Sequence, residues 1–156
     1  MCIRDRAQAA EIMRSCPDAV AFVQSLYESG TLPVSQYMGS APIDEGDWTE
    51  DVVFSKFDIS VEPQNQERYA DAYAKMMKKI SRDVEMRSYG VGAVGFGRDR
   101  FTHWVWTGAR SIPELNEITQ RLTSHPVFME FNQDVGRMRD VVNTSQNVII
   151  KSYPRQ

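Results

Sequence analysis

Lys56, Asp58, Tyr89, His103, Trp104, Trp106, Lys151 and Tyr153 are the residues through which this 156-residue chain could hold or transform a ligand. Lys56 and Asp58 alternate with Phe57 and Ile59 in VVFSKFDISV, so a strand there puts both charges on the face opposite the two apolar groups. If that face is enclosed, the charges are buried, must pair, and become natural ligand contacts; if it is a solvated edge, they carry no function. Trp104 and Trp106 share one face of THWVWT. Two indoles side by side either line an aromatic pocket, each offering an N–H, or fill the space between two sheets. His103 points the other way, and a lone histidine is either a hydrogen-bonded structural residue or a base or ligand. His125 precedes Pro126, where a cap or turn role fits. No third ligand accompanies the two histidines, so spacing defines no metal site.

One nucleotide-like motif needs a decision. Gly90-Val-Gly-Ala-Val-Gly95 matches GxGxxG, but a dinucleotide site needs a helix opening directly after the third glycine. Phe96-Gly97-Arg98-Asp99-Arg100 and an aromatic run follow instead, and no helix start appears before Ser111. The glycines therefore read as a bent, Gly-rich strand, and residues 85–107 as a hairpin turning at Gly97–Arg100.

The elements that must position these groups follow from periodicity. A helix is expected at 65–82, with Tyr69, Tyr73, Met76 and Ile80 as its apolar stripe. A second is expected at 111–138. Ser111 and Glu114 cap it, Pro113 sits in its first turn, and Ser124-His125-Pro126 breaks it. NVIIKSY, 147–153, reads as a closing strand. From Val52 on, the order is β-α-β-β-α-β, an α+β ferredoxin-like arrangement. In its strand order the third strand lies between the first and second, so Lys56, Tyr89 and Trp104 or Trp106 converge, and Lys151 and Tyr153 complete the ring. Upstream, a helix should end at Gly30, a short strand should occupy 34–39, and the aperiodic SAPIDEGDWTE over 40–50 reads as a linker.

The N-terminal segment echoes the C-terminal one. Ser15-x-Pro17 and Ser124-x-Pro126 stand 109 residues apart, as do Phe22 and Phe131, and Ser35-Gln36 and Ser145-Gln146 stand 110 apart. Residues 7–39 therefore read as the C-terminal remnant of a first repeat and 51–156 as a complete copy. The opening MCIRDR, residues 1–6, reads as a non-native leader of the kind that begins translated assembly fragments.

This order, with its Gly-rich strand, THWVWTG and broken second helix, resembles the dimeric α+β barrel superfamily, including antibiotic-biosynthesis-monooxygenase-like and NIPSNAP-like proteins. The resemblance covers residues 52–153. It implies a barrel that binds a small apolar or aromatic molecule, as a cofactor-independent oxygenase or, alternatively, as a non-catalytic ligand-binding or oligomerisation module. It implies no cofactor; a haem-binding version would need His103 or His125 facing the cavity. It also implies self-association through the open sheet face.

Composition narrows the partners. A net charge of −3, without a block of like charges, gives no expectation of nucleic acid. No apolar run reaches the roughly 20 residues that span a membrane. No apolar segment follows Arg4 and Arg6 as a secretory signal would require, and Cys2 and Cys16 form no framework, so a cytoplasmic setting is expected.

Overall fold

The computed structural model describes residues 11, 14–31, 37–97 and 100–150. The chain divides into two units, 1–36 and 37–156. The first contains α1 (Pro17–Glu28), which starts on a proline with no amide to satisfy and stops at Gly30, whose φ is 78°.

The second unit is an antiparallel five-stranded sheet with helices on one face. Its elements are β1 (Tyr37–Gly46), β2 (Val53–Val61), α2 (Gln66–Ile80), β3 (Ser88–Gly97), β4 (His103–Ala109), α3 (Ile112–Ser124), α4 (Pro126–Val135) and β5 (Arg139–Val148). The sheet order is β1-β3-β4-β2-β5. Omitting β1, this is the ferredoxin-like order expected from the sequence, with β4 between β2 and β3.

Each helix follows from its pattern. Tyr69, Tyr73, Met76, Met77 and Ile80 of α2 are all buried, at the spacing of one helical face. Ser111 accepts from the Glu114 amide, and the Glu114 carboxylate accepts from the Arg110 amide, closing the start of α3. His125 is extended (φ −70°, ψ 133°) because the following proline disfavours the helical conformation. Its Nδ1 then accepts from the Val127 amide at 3.2 Å, so the residue that ends α3 also caps α4.

Two strand expectations need correction. The supposed linker at 40–50 is strand as far as Gly46, paired with β3. As an edge strand it has no repeating apolar face; Ile43 alone packs on the core, and Pro42 sits where the register shifts between Ser40 and Ile43. The closing strand begins at Arg139, eight residues before the expected start at 147. It too is an edge, and its polar RDVVNTSQNV faces water along most of its length. Lys151 and Tyr153 lie outside the described residues, as do residues 98 and 99 of the hairpin turn. The two helix starts, Pro17 and Pro126, keep the 109-residue offset. The strand starts, Tyr37 and Arg139, stand 102 apart instead.

Candidate functional site

The two faces of the sheet carry different chemistry. On the face away from the helices, Lys56 and Asp58 lie beside Trp104 and Trp106, through the pairings Lys56–Trp106 and Asp58–Trp104. The indoles lie flat on glycines of the next strand. A Cβ at Gly92 would collide with the Trp104 ring, and one at Gly90 with the Trp106 ring and the Ile43 carbonyl oxygen. The GxG of the motif is thus a seat for two indoles, with no helix N-terminus beside it.

Lys56 is held inside this aromatic floor. Its ammonium lies 2.6 Å from Asp58 Oδ1, donates to the Tyr37 hydroxyl at 2.7 Å, and stands 5.0 Å from the ring centres of Tyr37 and Phe101. Asp58 is buried, and among the described residues this ammonium is the counterion of its Oδ1. Burial by itself lowers the lysine's pKa, but the bonds to Asp58 and Tyr37 outweigh it and hold the pKa above its ordinary value. Lys56 therefore stays charged at neutral pH and has no free pair for a Schiff base or for proton abstraction. The depression beside it, lined by Trp48, Phe54, Lys56, Trp104 and Trp106, is broad and open.

Tyr89 does not join this group. It pairs with Thr107 and packs against the core under the helices, because odd-numbered positions of β3 face that way. His103, also on the helix side, is buried; its Nδ1 lies 2.9 Å from the Thr102 hydroxyl, and burial pushes its pKa down. Arg87 is committed to Asp51 at 2.6 Å, and the other Asp51 oxygen accepts from the buried Ser88 hydroxyl at 2.5 Å. These three residues tie the end of β3 to the β1–β2 connection.

The enclosed cavity lies on the opposite face, between the sheet and the helices, with a volume of about 210 Å³. Its apolar walls include Phe57, Ile59, Val105, Trp106 and Val141 from the sheet and Tyr73, Met76, Met77, Ile118, Leu122, Phe128 and Phe131 from the helices. Polar atoms enter only from Ser55, Thr107, Thr119, Thr123, Arg139 and the Tyr73 hydroxyl, which donates to the Gly90 carbonyl oxygen at 3.3 Å. Burial drives the Tyr73 pKa far above its ordinary value, so the phenol stays neutral. Neither histidine lines this space, so neither stands where an axial ligand to a group within it would. Among the described residues no cluster of three His, Cys, Asp or Glu side chains forms a metal site.

Sequence reasoning offered the two tryptophans as pocket or filler and did not single out this cavity. Its helical walls were read as ordinary apolar stripes. The one available signal was their content: two methionines and two phenylalanines facing a strand pair that carries Phe57 and Val105, large and flexible groups that leave gaps. Arg139 gave no signal, because it lies before the point where the last strand was expected.

No family model matches the sequence, and no curated protein matches it. Solved structures do share its fold. An anthrone oxidase-like protein is 11% identical, with a TM-score of 0.61 over 92% of this chain and 63% of its own. A major regulator of staphylococcal pathogenesis is 10% identical, with a TM-score of 0.56 over 77% of this chain and 73% of its own. A candidate monooxygenase of Fusobacterium nucleatum is 11% identical, with a TM-score of 0.55 over 89% of this chain and 61% of its own. The chain thus spans about six tenths of the length of the two oxygenase-like structures. No helix among the described residues is long and apolar enough to cross a membrane. At these identities the likeness speaks for architecture: the chain has an α+β ferredoxin-like fold.

Proposed function

We propose that the chain binds a small apolar or aromatic molecule in the cavity between α2, α3, α4 and the sheet. The observation that carries this reading is the enclosed, almost wholly apolar volume of about 210 Å³. A cavity of about 150 Å³ lined by similar side chains stays dry and takes up benzene, so this one has room for a substituted ring. The Trp face, broad and open, serves instead as the surface that the like face of a second copy of the chain covers.

An oxygenase function adds one step to binding. A carbon acid such as an anthrone loses a proton, and its carbanion passes electrons to dioxygen. Conversion of CH2 to C=O takes one oxygen atom while the other leaves as water. A dry cavity favours this chemistry by stripping water from the reacting anion. The alternative, binding without turnover, is favoured by one specific feature: among the described residues that line the cavity there is no carboxylate, imidazole, thiol or amine to act as a base. Oxygen uptake with anthrone, above the rate without protein, separates the two versions.

Binding itself is tested by filling the space. Leu122 lines the cavity from α3 and is only partly buried, so a larger side chain can enter with little strain. Leu122→Trp is expected to weaken toluene binding at least tenfold by calorimetry while leaving the fold intact. Unchanged affinity in a folded Leu122→Trp protein would place the ligand elsewhere.

A further inference from the structure

We infer that the cavity's ligand carries an anionic group, and that Arg139 selects it. This rests on the cavity reading above and adds the chemical class: an apolar or aromatic carboxylic acid, or a ring with an ionised oxygen. Arg139 opens β5 and lines the cavity together with Val141. Phe57 and Val141, both lining residues, are 37% and 54% exposed, so the cavity opens on the β2–β5 side, where Arg139 stands.

The guanidinium is positioned from three directions, yet its charge is not matched. Nη1 donates to the Tyr69 hydroxyl at 2.8 Å and Nη2 to Asn132 Oδ1 at 2.6 Å. The group stacks at 5.1 Å from the centre of the Phe131 ring. All three partners are neutral. Among the described residues no carboxylate pairs with it, and Asp134 on α4 is occupied by Arg68 at 2.7 Å. Among the described residues two of the five N–H donors have a partner, and a guanidinium's further donors suit a carboxylate. Stacking and two fixed bonds remove most of the side chain's freedom before a ligand arrives, which lowers the entropy lost on binding.

An arginine kept for structure alone would present its spare donors to water and would not discriminate between ligands. One chosen for an anion would. The matched probes are benzoate and nitrobenzene, planar and of nearly equal size, the first charged and the second neutral. Calorimetric titration of the full chain at neutral pH is expected to show benzoate at least tenfold tighter than nitrobenzene, about the effect of one charge-assisted hydrogen bond. The preference should shrink with added salt. In Arg139→Met the ratio between the two ligands should fall to about one. Arg139→Lys should retain a reduced preference, since it keeps the charge but not the fork.

Equal binding of the two probes by the wild-type chain overturns the inference and leaves the cavity reading standing. Binding of neither overturns both. If Arg139→Met fails to fold, the wild-type ratio, its salt dependence and Arg139→Lys decide: a ratio near one, or one indifferent to salt, is the overturning result. A preference for benzoate that survives in Arg139→Met also overturns it, since the anion is then held by another group.

Discussion

Gly90→Val is expected to destabilise the protein by at least about 3 kcal/mol, the upper end of what overpacking costs. The new Cβ would enter space held by the Trp106 indole on one side and the Ile43 carbonyl oxygen on the other. The ring could swing away. The carbonyl belongs to the β1 backbone and could move only by giving up part of the β1–β3 pairing. Gly95→Ala, in the same motif, is the control. The nearest atom to its Cβ would be the Met38 oxygen at 3.7 Å, an ordinary contact, and the change should stay within about 0.5 kcal/mol. Urea midpoints of the two variants check this directly. A Gly90→Val protein as stable as wild type would mean that the glycine is there for another reason, and that the indoles do not lie where they are described.

Phe131→Ala has the other large expected effect, a loss of about 3–5 kcal/mol. Phe131 is 6% exposed and contacts Tyr69, Tyr73 and Phe128 at ring separations of 5.8, 6.3 and 6.4 Å. It also borders the cavity, so its removal would enlarge a space that already fails to close, and collapse offers little relief. For a chain of this length the fall in Tm is expected to be about 10 °C or more. Phe57→Ala removes the same group from the same cavity, but at its exposed opening, and should cost clearly less. Toluene should then restore part of the melting temperature of Phe131→Ala by mass action, since the folded state alone offers it a site. Equal losses in the two variants would contradict a cavity closed at Phe131 and open at Phe57.

The elements with a dry face were legible in the sequence. Tyr69, Tyr73, Met76 and Ile80 announce α2, and the Ser111–Glu114 pair with Pro113 announces α3, because burial and capping leave periodic and local marks. The break at His125 was legible for the same reason, since a proline constrains the residue before it. What escaped were the two edges. β1 and β5 have little apolar alternation because neither face is fully covered, so a strand with Pro42 and Gly46 read as a linker and RDVVNTSQNV went unseen.

Site residues divided in the same way. That Lys56 and Asp58 share a face, and that Trp104 and Trp106 share one, followed from strand parity, and the adjacency of their strands from the strand order. Tyr89 went to the wrong face because the register between β3 and β4 depends on the turn, which composition does not specify. The cavity was hidden for a deeper reason. A void is what packing leaves over among residues that each look like core, and no single residue encodes it.

The central claim is that an apolar ligand enters under the helices and not on the tryptophan face, and one titration decides it. Toluene is added to the full chain while methyl and indole N–H signals are followed by NMR. Saturable shifts are predicted for the methyls of Met76, Met77, Ile118 and Leu122, with the indole signal of Trp104, which borders only the depression on the other face, unmoved. Saturable shifts confined to the Trp104 indole, or none at the four methyls, would contradict it.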